Sequence, residues 1–428
     1  MKDSRIEWIG EIPEEWEIDK CNRVFQIIGS GTTPRGEDIF ENGTENWLQS
    51  GDVKEGLITT CKNKLKKQVL QNFNALKKYK SPFIIIAMYG ASVGNIAISQ
   101  IDACVNQACC VLGSPKSNFK FLYYALLSTK DFLIKKALGG GQPNISQEII
   151  RQLWLPNPSG IIQQKIADFL DGKCAKIDSL IAHEEATIEE LKAYKQSVIT
   201  EAVTKGLDKS VPMKASGVEW IGEIPESWEI KKAKFLADMF SKGGGITKED
   251  IGPDGDSPCV RYGEIYTKYD TYFKSCVTRT NLSNVSSPQY FSYGDILFVC
   301  TGELVEEIGK NIVYLGNERC LAGGDIIVMK HSHNPLYLSF ALNSHISQYQ
   351  KSCNKAKLKV VHISLGDIGN VLVAVPPLKE QQQIAEYLDK KCACIDSLVS
   401  SKQNKIEELK EYKKSLIYEY VTGKKEVA

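Results

Sequence analysis

The spacing of hydrophobic residues along the chain alternates between a pattern typical of strands and a pattern typical of helices. Runs of β-branched and aromatic residues broken by Gly and Pro, such as 83–90 (FIIIAMYG), predict strands. Apolar residues spaced three and four apart near 119–137 and 335–351 predict amphipathic helices beside them. We therefore expect the segments 1–160 and 219–378 to fold as mixed α/β globules.

A long stretch without Pro follows each globule, roughly 162–204 and 380–421, and its apolar residues keep a heptad spacing with some positions skipped. In the first stretch these positions are Leu170, Cys174, Ile177, Ile181, Ile188, Leu191, Val198 and Ala202. In the second stretch they are Leu388, Cys392, Ile395, Val399, Ile406, Leu409, Leu416 and Tyr420. A heptad seam is typical of helices that pair, so we predict an intramolecular coiled coil. At about 1.5 Å per residue each helix would be roughly 60 Å long, and antiparallel pairing would place the globules at opposite ends.

The coiled-coil prediction leaves two points open. Two separate amphipathic helices, each packed on its own globule, would also fit the apolar spacing. One seam position is polar in both stretches, Glu184 in the first and Lys402 in the second. Both lie at mid-helix, so parallel and antiparallel pairing would each bring them close. We hypothesise that they form an ion pair that sets the register.

The chain is an internal duplication. The twelve residues 7–18 (EWIGEIPEEWEI) return at 219–230 with a single substitution, an offset of 212. The offset grows to 218 in the helices, where QQKIADFLDGKCAKIDSL (163–180) matches QQQIAEYLDKKCACIDSL (381–398). Collinear matches with a slowly drifting offset indicate a duplicated domain with small loop insertions.

The matches divide the chain into α/β domains at 1–160 and 219–378, helical regions at 161–206 and 379–428, and a linker at 207–218. The repeated twelve-residue stretch looks structural. Its apolar anchors in the first copy are Trp8, Ile9, Ile12, Trp16 and Ile18. Its glutamates would repel a phosphate backbone, so we place the stretch away from nucleic acid. We predict that it docks each α/β domain on the end of the helical pair.

Known catalytic patterns are missing from the sequence. There is no G-x-x-x-x-G-K-[ST] phosphate loop, and the Gly-rich segments 139–144 and 242–247 lack the strand-to-helix frame of a dinucleotide site. The aromatic tetrapeptide with which adenine methyltransferases hold a flipped base is also missing. The nuclease-like Asp52-Val53-Lys54 is interpreted as a strand end and turn, and the pair His331-x-His333 lacks a third metal ligand. We find no active site and no metal site.

Composition narrows the class of protein further. The thirteen cysteines include no C-x-x-C and are interpreted as reduced apolar residues. No run of about 18 apolar residues and no apolar leader occur, which predicts a cytoplasmic protein. The net charge of +1 argues against a general polyanion binder, so any affinity for nucleic acid must come from local patches.

One such patch is the segment 61–80, which carries seven lysines and no acid. The lysines are Lys62, Lys64, Lys66, Lys67, Lys77, Lys78 and Lys80. A solvated lysine face is the usual explanation of such a run. Two basic globules held apart by helices would, however, suit duplex DNA, and these lysines would then neutralise phosphates. The second domain offers Lys274, Arg279, Lys355, Lys357 and Lys359.

Base reading would need Arg, Gln, Asn or Tyr side chains in the loops that differ between the copies. Candidates in the first domain are Arg35, Gln49, Gln142 and Asn144. Candidates in the second domain are Arg261, Tyr262 and Arg279. Because the helices match closely while these segments differ, we expect two different half-sites separated by a gap.

Four segments resemble the recurring signatures of type I restriction–modification specificity subunits, and the resemblance covers almost the whole chain. The segments are EWIGEIPEEWEI, NWLQSGDV, LPNPSGIIQQKIADFLD and VPPLKEQQQIAEYLD. The resemblance implies two target-recognition domains alternating with two helical spacers that form an antiparallel, pseudo-twofold coiled coil. It also implies a non-catalytic subunit that selects a bipartite DNA sequence in the defence against foreign DNA. The first copy departs from the pattern at Gly160-Ile161, where the second has Leu378-Lys379.

The resemblance further implies partners and cofactors. Two methyltransferase subunits that bind S-adenosylmethionine and methylate adenine would dock on the chain. Restriction subunits that use ATP and Mg would complete the nuclease, and the chain itself would hold no cofactor. Two alternatives stay open: a specificity subunit that serves a methyltransferase alone, and a coiled-coil protein scaffold that does not read DNA.

Overall fold

The computed structural model describes the chain except residues 37, 74–75, 138–143, 253, 286, 354–360 and 428, and the side chain of residue 306. The chain forms two compact units. The first contains Met1–Glu184 and Asn404–Ala428, and the second contains Glu185–Gln403. The long helices α6 (Gly160–Lys205) and α11 (Leu378–Val421) each contribute one segment to either unit. Each unit therefore combines one α/β domain with a segment of both helices, and is described by itself.

The first unit begins with short elements and then forms two sheets. Its strands are β1 (Lys2–Asp3), β2 (Glu11–Ile12), β3 (Glu17–Lys20), β4 (Phe25–Gly29), β5 (Glu45–Leu48), β6 (Gly56–Ile58), β7 (Lys64–Leu65), β8 (Phe83–Ala87), β9 (Ile96–Ser99), β10 (Cys104–Val105), β11 (Cys109–Pro115) and β12 (Trp154–Asn157). Its short helices are α1 (Cys21–Val24), α2 (Lys67–Asn72), α3 (Phe119–Leu127), α4 (Lys130–Lys136) and α5 (Gln147–Arg151), with a 3-10 turn at Ser50–Asp52.

A five-stranded sheet in the order β4-β11-β8-β9-β6 divides the first unit into layers. Successive residues of β8 point to opposite faces, so Ile84 and Ile86 join the core that contains α3 and the long helices, whereas Ile85 faces the other way. There it meets a smaller sheet in the order β10-β5-β7. Both faces of β8 are covered, which explains why the strand is a continuous apolar run in the sequence.

The second unit repeats this plan. Its strands are β13 (Met213–Ala215), β14 (Glu223–Pro225), β15 (Glu229–Lys232), β16 (Ala237–Lys242), β17 (Ser257–Val260), β18 (Tyr272–Phe273), β19 (Thr278–Thr280), β20 (Tyr290–Phe291), β21 (Ile296–Val299), β22 (Thr301–Gly302), β23 (Asn311–Tyr314), β24 (Cys320–Ala322), β25 (Ile326–His331), β26 (Val361–His362) and β27 (Leu372–Val375). Its short helices are α7 (Tyr262–Thr267), α8 (Pro335–Asn343), α9 (His345–Ser352) and α10 (Leu365–Gly369), with 3-10 turns at Ala233–Phe235, Leu282–Asn284 and Val305–Glu307.

The sheets of the second unit correspond to those of the first. The five-stranded sheet runs β16-β25-β21-β23-β18, and the smaller sheet runs β19-β17-β24-β20. Ile296 and Phe298 of β21 share a core with the long helices, whereas Leu297 and Val299 face the smaller sheet. We call the smaller sheet of each unit its distal sheet, because the five-stranded sheet lies between it and the long helices. The mixed α/β prediction is confirmed.

The two long helices pair antiparallel within each unit. In the first unit Lys413 Nζ lies 2.6 Å from Asp178, and the rings of Phe169 and Tyr420 are 4.4 Å apart. In the second unit Lys195 Nζ lies 2.7 Å from Asp396. As residue numbers rise along α6, the numbers of their partners on α11 fall. The coiled-coil prediction is confirmed, and the alternative of two unpaired amphipathic helices is wrong.

The predicted seam positions are buried or half-buried on both helices, including the polar Glu184, of which 4% is exposed. The Glu184 carboxylate accepts a hydrogen bond from Lys405 Nζ at 2.6 Å in the first unit. Lys402 is half-buried and belongs to the second unit, so its pairing with Glu184 stays a prediction. The helices extend slightly beyond the predicted 162–204 and 380–421.

Candidate nucleic-acid interface

The repeated twelve-residue stretch attaches the first domain to the long helices, and we call a segment that does this a mount. Trp8, Ile9, Ile12 and Trp16 belong to the same core as residues of α6 and α11. The carbonyl of Ile9 accepts hydrogen bonds from Tyr418 Oη at 3.2 Å and from Lys424 Nζ at 2.7 Å. These contacts confirm the predicted docking of this domain at a helix end.

The second copy makes equivalent contacts inside the second unit. Ile221, Ile224 and Trp228 share a core with the end of α6 and the start of α11. Trp228 Nε1 donates a hydrogen bond to Glu380 at 2.9 Å. Trp220 differs from its counterpart Trp8, because 46% of Trp220 is exposed against 8% of Trp8.

A second mount, which sequence reasoning missed, explains the repeated glutamine pairs. At the start of α6, Gln163 accepts a hydrogen bond from the Asn118 N–H at 2.8 Å and donates to the Pro158 carbonyl at 2.8 Å. At the start of α11, Gln381 accepts from the Asn334 N–H at 3.0 Å and donates to the Pro376 carbonyl at 2.8 Å. The signal present in the sequence was the repeat of Gln163 as Gln381 at the start of the second helix, and the structure buries both side chains with hydrogen-bond partners.

The lysine-rich segment lies on and beside the distal sheet of the first unit. Lys64 is in β7, Lys67 begins α2, and the other lysines lie in the adjoining connections. Six of the seven lysines are exposed and Lys66 is half-buried. The predicted absence of acids is true of the segment itself but not of its surroundings. Lys78 Nζ lies 2.6 Å from Glu45, whose carboxylate raises the pKa of the lysine, and Lys66 Nζ lies 3.8 Å from Glu41.

The candidate base readers of the first domain are less uniform. Arg35 is exposed, and Asn144 is exposed and forms an isolated bridge with Tyr89. Gln49 is half-buried, and its backbone N–H donates to Asp52 at 2.8 Å at the end of β5. Gln142 lies outside the described residues.

In the second domain the Arg candidates make internal contacts. The Arg279 guanidinium donates to the carbonyls of Gly255 at 2.8 Å and Asp256 at 2.9 Å. Arg261 is half-buried and lies 3.5 Å from Glu264. Tyr262 and Lys274 are exposed. Lys355, Lys357 and Lys359 lie outside the described residues.

The structure gives the acid of Asp52-Val53-Lys54 a backbone role. Asp52 caps the N–H of Gln49, and the equivalent Glu264 caps the N–H of Arg261 at 2.9 Å. These contacts agree with the interpretation as a strand end and turn. Burial lowers the pKa of His331 to about 4, so this imidazole is neutral at physiological pH. Within the described part of the chain, no group of three or more His, Cys, Asp or Glu side chains is placed to hold a metal ion.

The helices carry exposed apolar residues outside the seam. In the first unit these include Leu180 and Tyr412, 48% and 57% exposed, and in the second unit they include Leu398 and Tyr194, 48% and 49% exposed. The residues of each pair are repeat equivalents of the other pair, at an offset of 218. We call each pair a helical docking patch. Sequence reasoning passed over them, although matching apolar residues off the seam in both copies were a visible signal.

Of the helices that the structure describes, none is both long enough and apolar enough to span a membrane.

Comparison with known proteins identifies the duplicated domain. A family model described as the type I restriction modification DNA specificity domain matches residues 13–193 and again residues 225–408. The type I restriction enzyme MjaVIII specificity subunit of Methanocaldococcus jannaschii is 23% identical over 427 residues, which cover 96% of this chain and 93% of the relative. The EcoKI specificity subunit of Escherichia coli K12 is 22% identical, with 97% and 90% covered.

A solved structure shares the fold. It comes from work on complex assembly and conformational transition of the type I R-M system, and its TM-score to this chain is 0.70 at 16% identity. The alignment covers 96% of this chain and 98% of that one. With both halves of the chain matched by the family model, this protein belongs to the type I restriction–modification DNA specificity family and contains two target-recognition domains.

Proposed function

We propose that this chain selects a bipartite, asymmetric duplex DNA sequence, with one half-site for each domain. It has no catalytic role of its own. Methyltransferase subunits carried on the helices bind S-adenosylmethionine and methylate adenine at the selected site. Restriction subunits, which use ATP and Mg, join the same assembly.

One observation carries this proposal: the two domains share their mounts and their topology but not the chemistry of their distal sheets. The mounts are repeated almost residue for residue. The lysine run of the first unit lies on and beside its distal sheet, whereas strands of the distal sheet in the second unit carry Arg279 and Tyr290. Two domains that are attached to the helices in the same way but differ in the chemistry of their distal sheets suit a protein that reads two different sequences. The glutamates of the mount are exposed, and the stretch that carries them packs on the long helices, which supports a position away from the proposed phosphate contacts.

The docking patches support the proposal of two methyltransferase subunits. Each unit has one Leu and one Tyr exposed at equivalent positions, so a single partner surface can bind both units in the same way. Exposed apolar side chains on a helix are a common binding site for a partner helix.

Mapping methylated adenines tests the proposal. Genomic DNA would be compared from cells with the intact gene and cells in which it is deleted. We expect a gapped motif with two unlike half-sites that is methylated only when the gene is present. Unchanged methylation in the deletion strain would overturn the proposal, as would a continuous or palindromic motif.

A second experiment separates the two domains. Replacing the second domain, 219–378, by that of a relative should change one half-site of the mapped motif and leave the other intact. A change in both half-sites would contradict the assignment of one half-site to each domain.

A further inference from the structure

An arginine stacked on an aromatic ring distinguishes the distal sheet of the second unit. The Arg319 guanidinium lies 3.7 Å from the centroid of the Tyr290 ring. Arg319 directly precedes β24, and Tyr290 begins the neighbouring strand β20. The antiparallel register pairs Tyr290 with Leu321, which brings the two side chains together across the sheet edge.

The Tyr290 ring packs on a small apolar core, while the Arg319 side chain is exposed to solvent. Tyr290 is half-buried and packs on a small core of Ile246, Cys259, Val285 and Leu321. Arg319 is exposed, and no carboxylate among the described residues forms an ion pair with it within 4.0 Å. The other two arginines have polar partners: Arg261 lies beside Glu264, and Arg279 donates to backbone carbonyls. Arg319 has no such polar partner among the described residues, so its N–H donors are available at the surface.

The first unit has different chemistry at the same place. At the offset of 212 that aligns residue 82 with 294, Tyr290 corresponds to Lys78. The strand registers give the other equivalence: Cys104 pairs with Trp47, and Leu321 pairs with its equivalent Cys259, so Arg319 corresponds to Asp102. Lys78 is paired with Glu45, so the first unit holds a neutralised lysine and an aspartate where the second holds a tyrosine and an arginine stacked on it.

We infer that Arg319 reads a guanine in the half-site of the second domain, with Tyr290 as its positioning residue. The stack holds the planar guanidinium in one orientation and leaves its N–H groups free to bond the O6 and N7 acceptors of guanine. A flexible lysine at this place would supply charge but not the two-donor geometry. The inference rests on the proposed function, because it assumes that the second domain binds DNA.

The test uses the complete complex with its methyltransferase subunits and a randomised DNA library, with methylated sites sequenced. Arg319→Lys should lower discrimination at one G·C pair of one half-site by roughly 5- to 100-fold and leave the other half-site unchanged. Tyr290→Leu should relax the same position by a few-fold, and Tyr290→Phe, which keeps the ring, should behave as wild type. Because Arg319 is exposed, thermal unfolding of Arg319→Lys should match the wild type.

Two results would overturn the inference. Arg319→Lys could retain every base preference, or Arg319→Ala could weaken binding equally for all sequences and reduce its salt dependence, which is the signature of a phosphate contact. Failure of the proposed function would look different, since the wild-type complex would then select no sequence at all.

Discussion

Lys351 in α9 is an unusual residue, because a lysine is rarely enclosed completely. About 1% of it is exposed, and its Nζ donates to the carbonyls of Gly309 at 2.7 Å and Leu342 at 3.0 Å. Burial disfavours the charged form and lowers the pKa of the amine to about 7. A neutral amine has two N–H donors, which is the number that the two carbonyls accept.

Replacing Lys351 by Met should remove a pH dependence of stability. In the unfolded chain the lysine has a pKa of about 10.4, so between pH 7 and 10 the unfolded state binds more protons than the folded state. The free energy of unfolding should therefore rise with pH in this window, by up to about 1.4 kcal/mol per pH unit, and this contribution should be absent below pH 7. Urea unfolding of wild type and Lys351→Met at pH 7.5 and 9.5 measures the difference. Parallel pH dependences would show that the buried amine stays charged.

A second residue-scale prediction concerns Gly423, two residues after the end of α11. Its φ is +70°, and a Cβ there would lie 2.5 Å from Pro13 Cδ. Gly423→Ala should lower the stability of the first unit by about 2 kcal/mol or more, through both backbone strain and overpacking. Gly222→Ala is a matched control, because its φ is +74° and nothing lies within 4 Å of the added Cβ. Equal losses of thermal stability in the two variants would contradict the close packing at Pro13.

At the scale of elements, the interhelical ion pairs favour the antiparallel direction of helix pairing. Asp178 and Asp396 are repeat equivalents, as are Lys195 and Lys413. An antiparallel pair places each Asp opposite a Lys, once in each unit. A parallel pair in register would instead place Asp178 opposite Asp396. The repeated charges thus favour one orientation and disfavour the other.

Charge reversal tests this arrangement. Asp178→Lys should destabilise the first unit by about 0.5–1 kcal/mol, a small effect because the pair is partly exposed, and Lys413→Asp in the same chain should restore most of the loss. Glu407→Lys is the control, because Glu407 pairs with Lys410 on its own helix at 2.8 Å. If the double variant proved no more stable than Asp178→Lys alone, the two residues would not interact.

The elements could be predicted from the sequence more fully than the candidate interface. Strands and helices follow from spacing within a short segment, and the seam residues were identified in this way. The acids that neutralise Lys66 and Lys78 come from Glu41 and Glu45, outside the lysine run, and only folding brings them near. The four-residue growth of the offset, from 212 to 216, corresponds to the longer loop that contains the 3-10 turn Val305–Glu307. The position of this longer loop was predictable from the sequence, but the conformation of the loop was not.

At the scale of the whole molecule, the docking patches predict how many partners bind. Replacing Leu180 and Tyr412 by Asp should abolish binding of one methyltransferase subunit and leave the other bound, since charged groups cannot be buried unpaired in an apolar interface. Native mass spectrometry should then show one methyltransferase per chain instead of two. Ile161→Asp is a control, because Ile161 is 74% exposed on α6 but is not part of a patch. Retention of two subunits by the Leu180/Tyr412 variant would place docking elsewhere.

The repeated mount has a genetic consequence. The stretches at 7–18 and 219–230 are nearly identical, and each precedes a domain whose distal sheet is its own. Crossovers between alleles at such stretches preserve the reading frame and the contacts with the helices while exchanging the surface that lies beyond. A lineage could therefore acquire a new target in one recombination event, without having to evolve the support again.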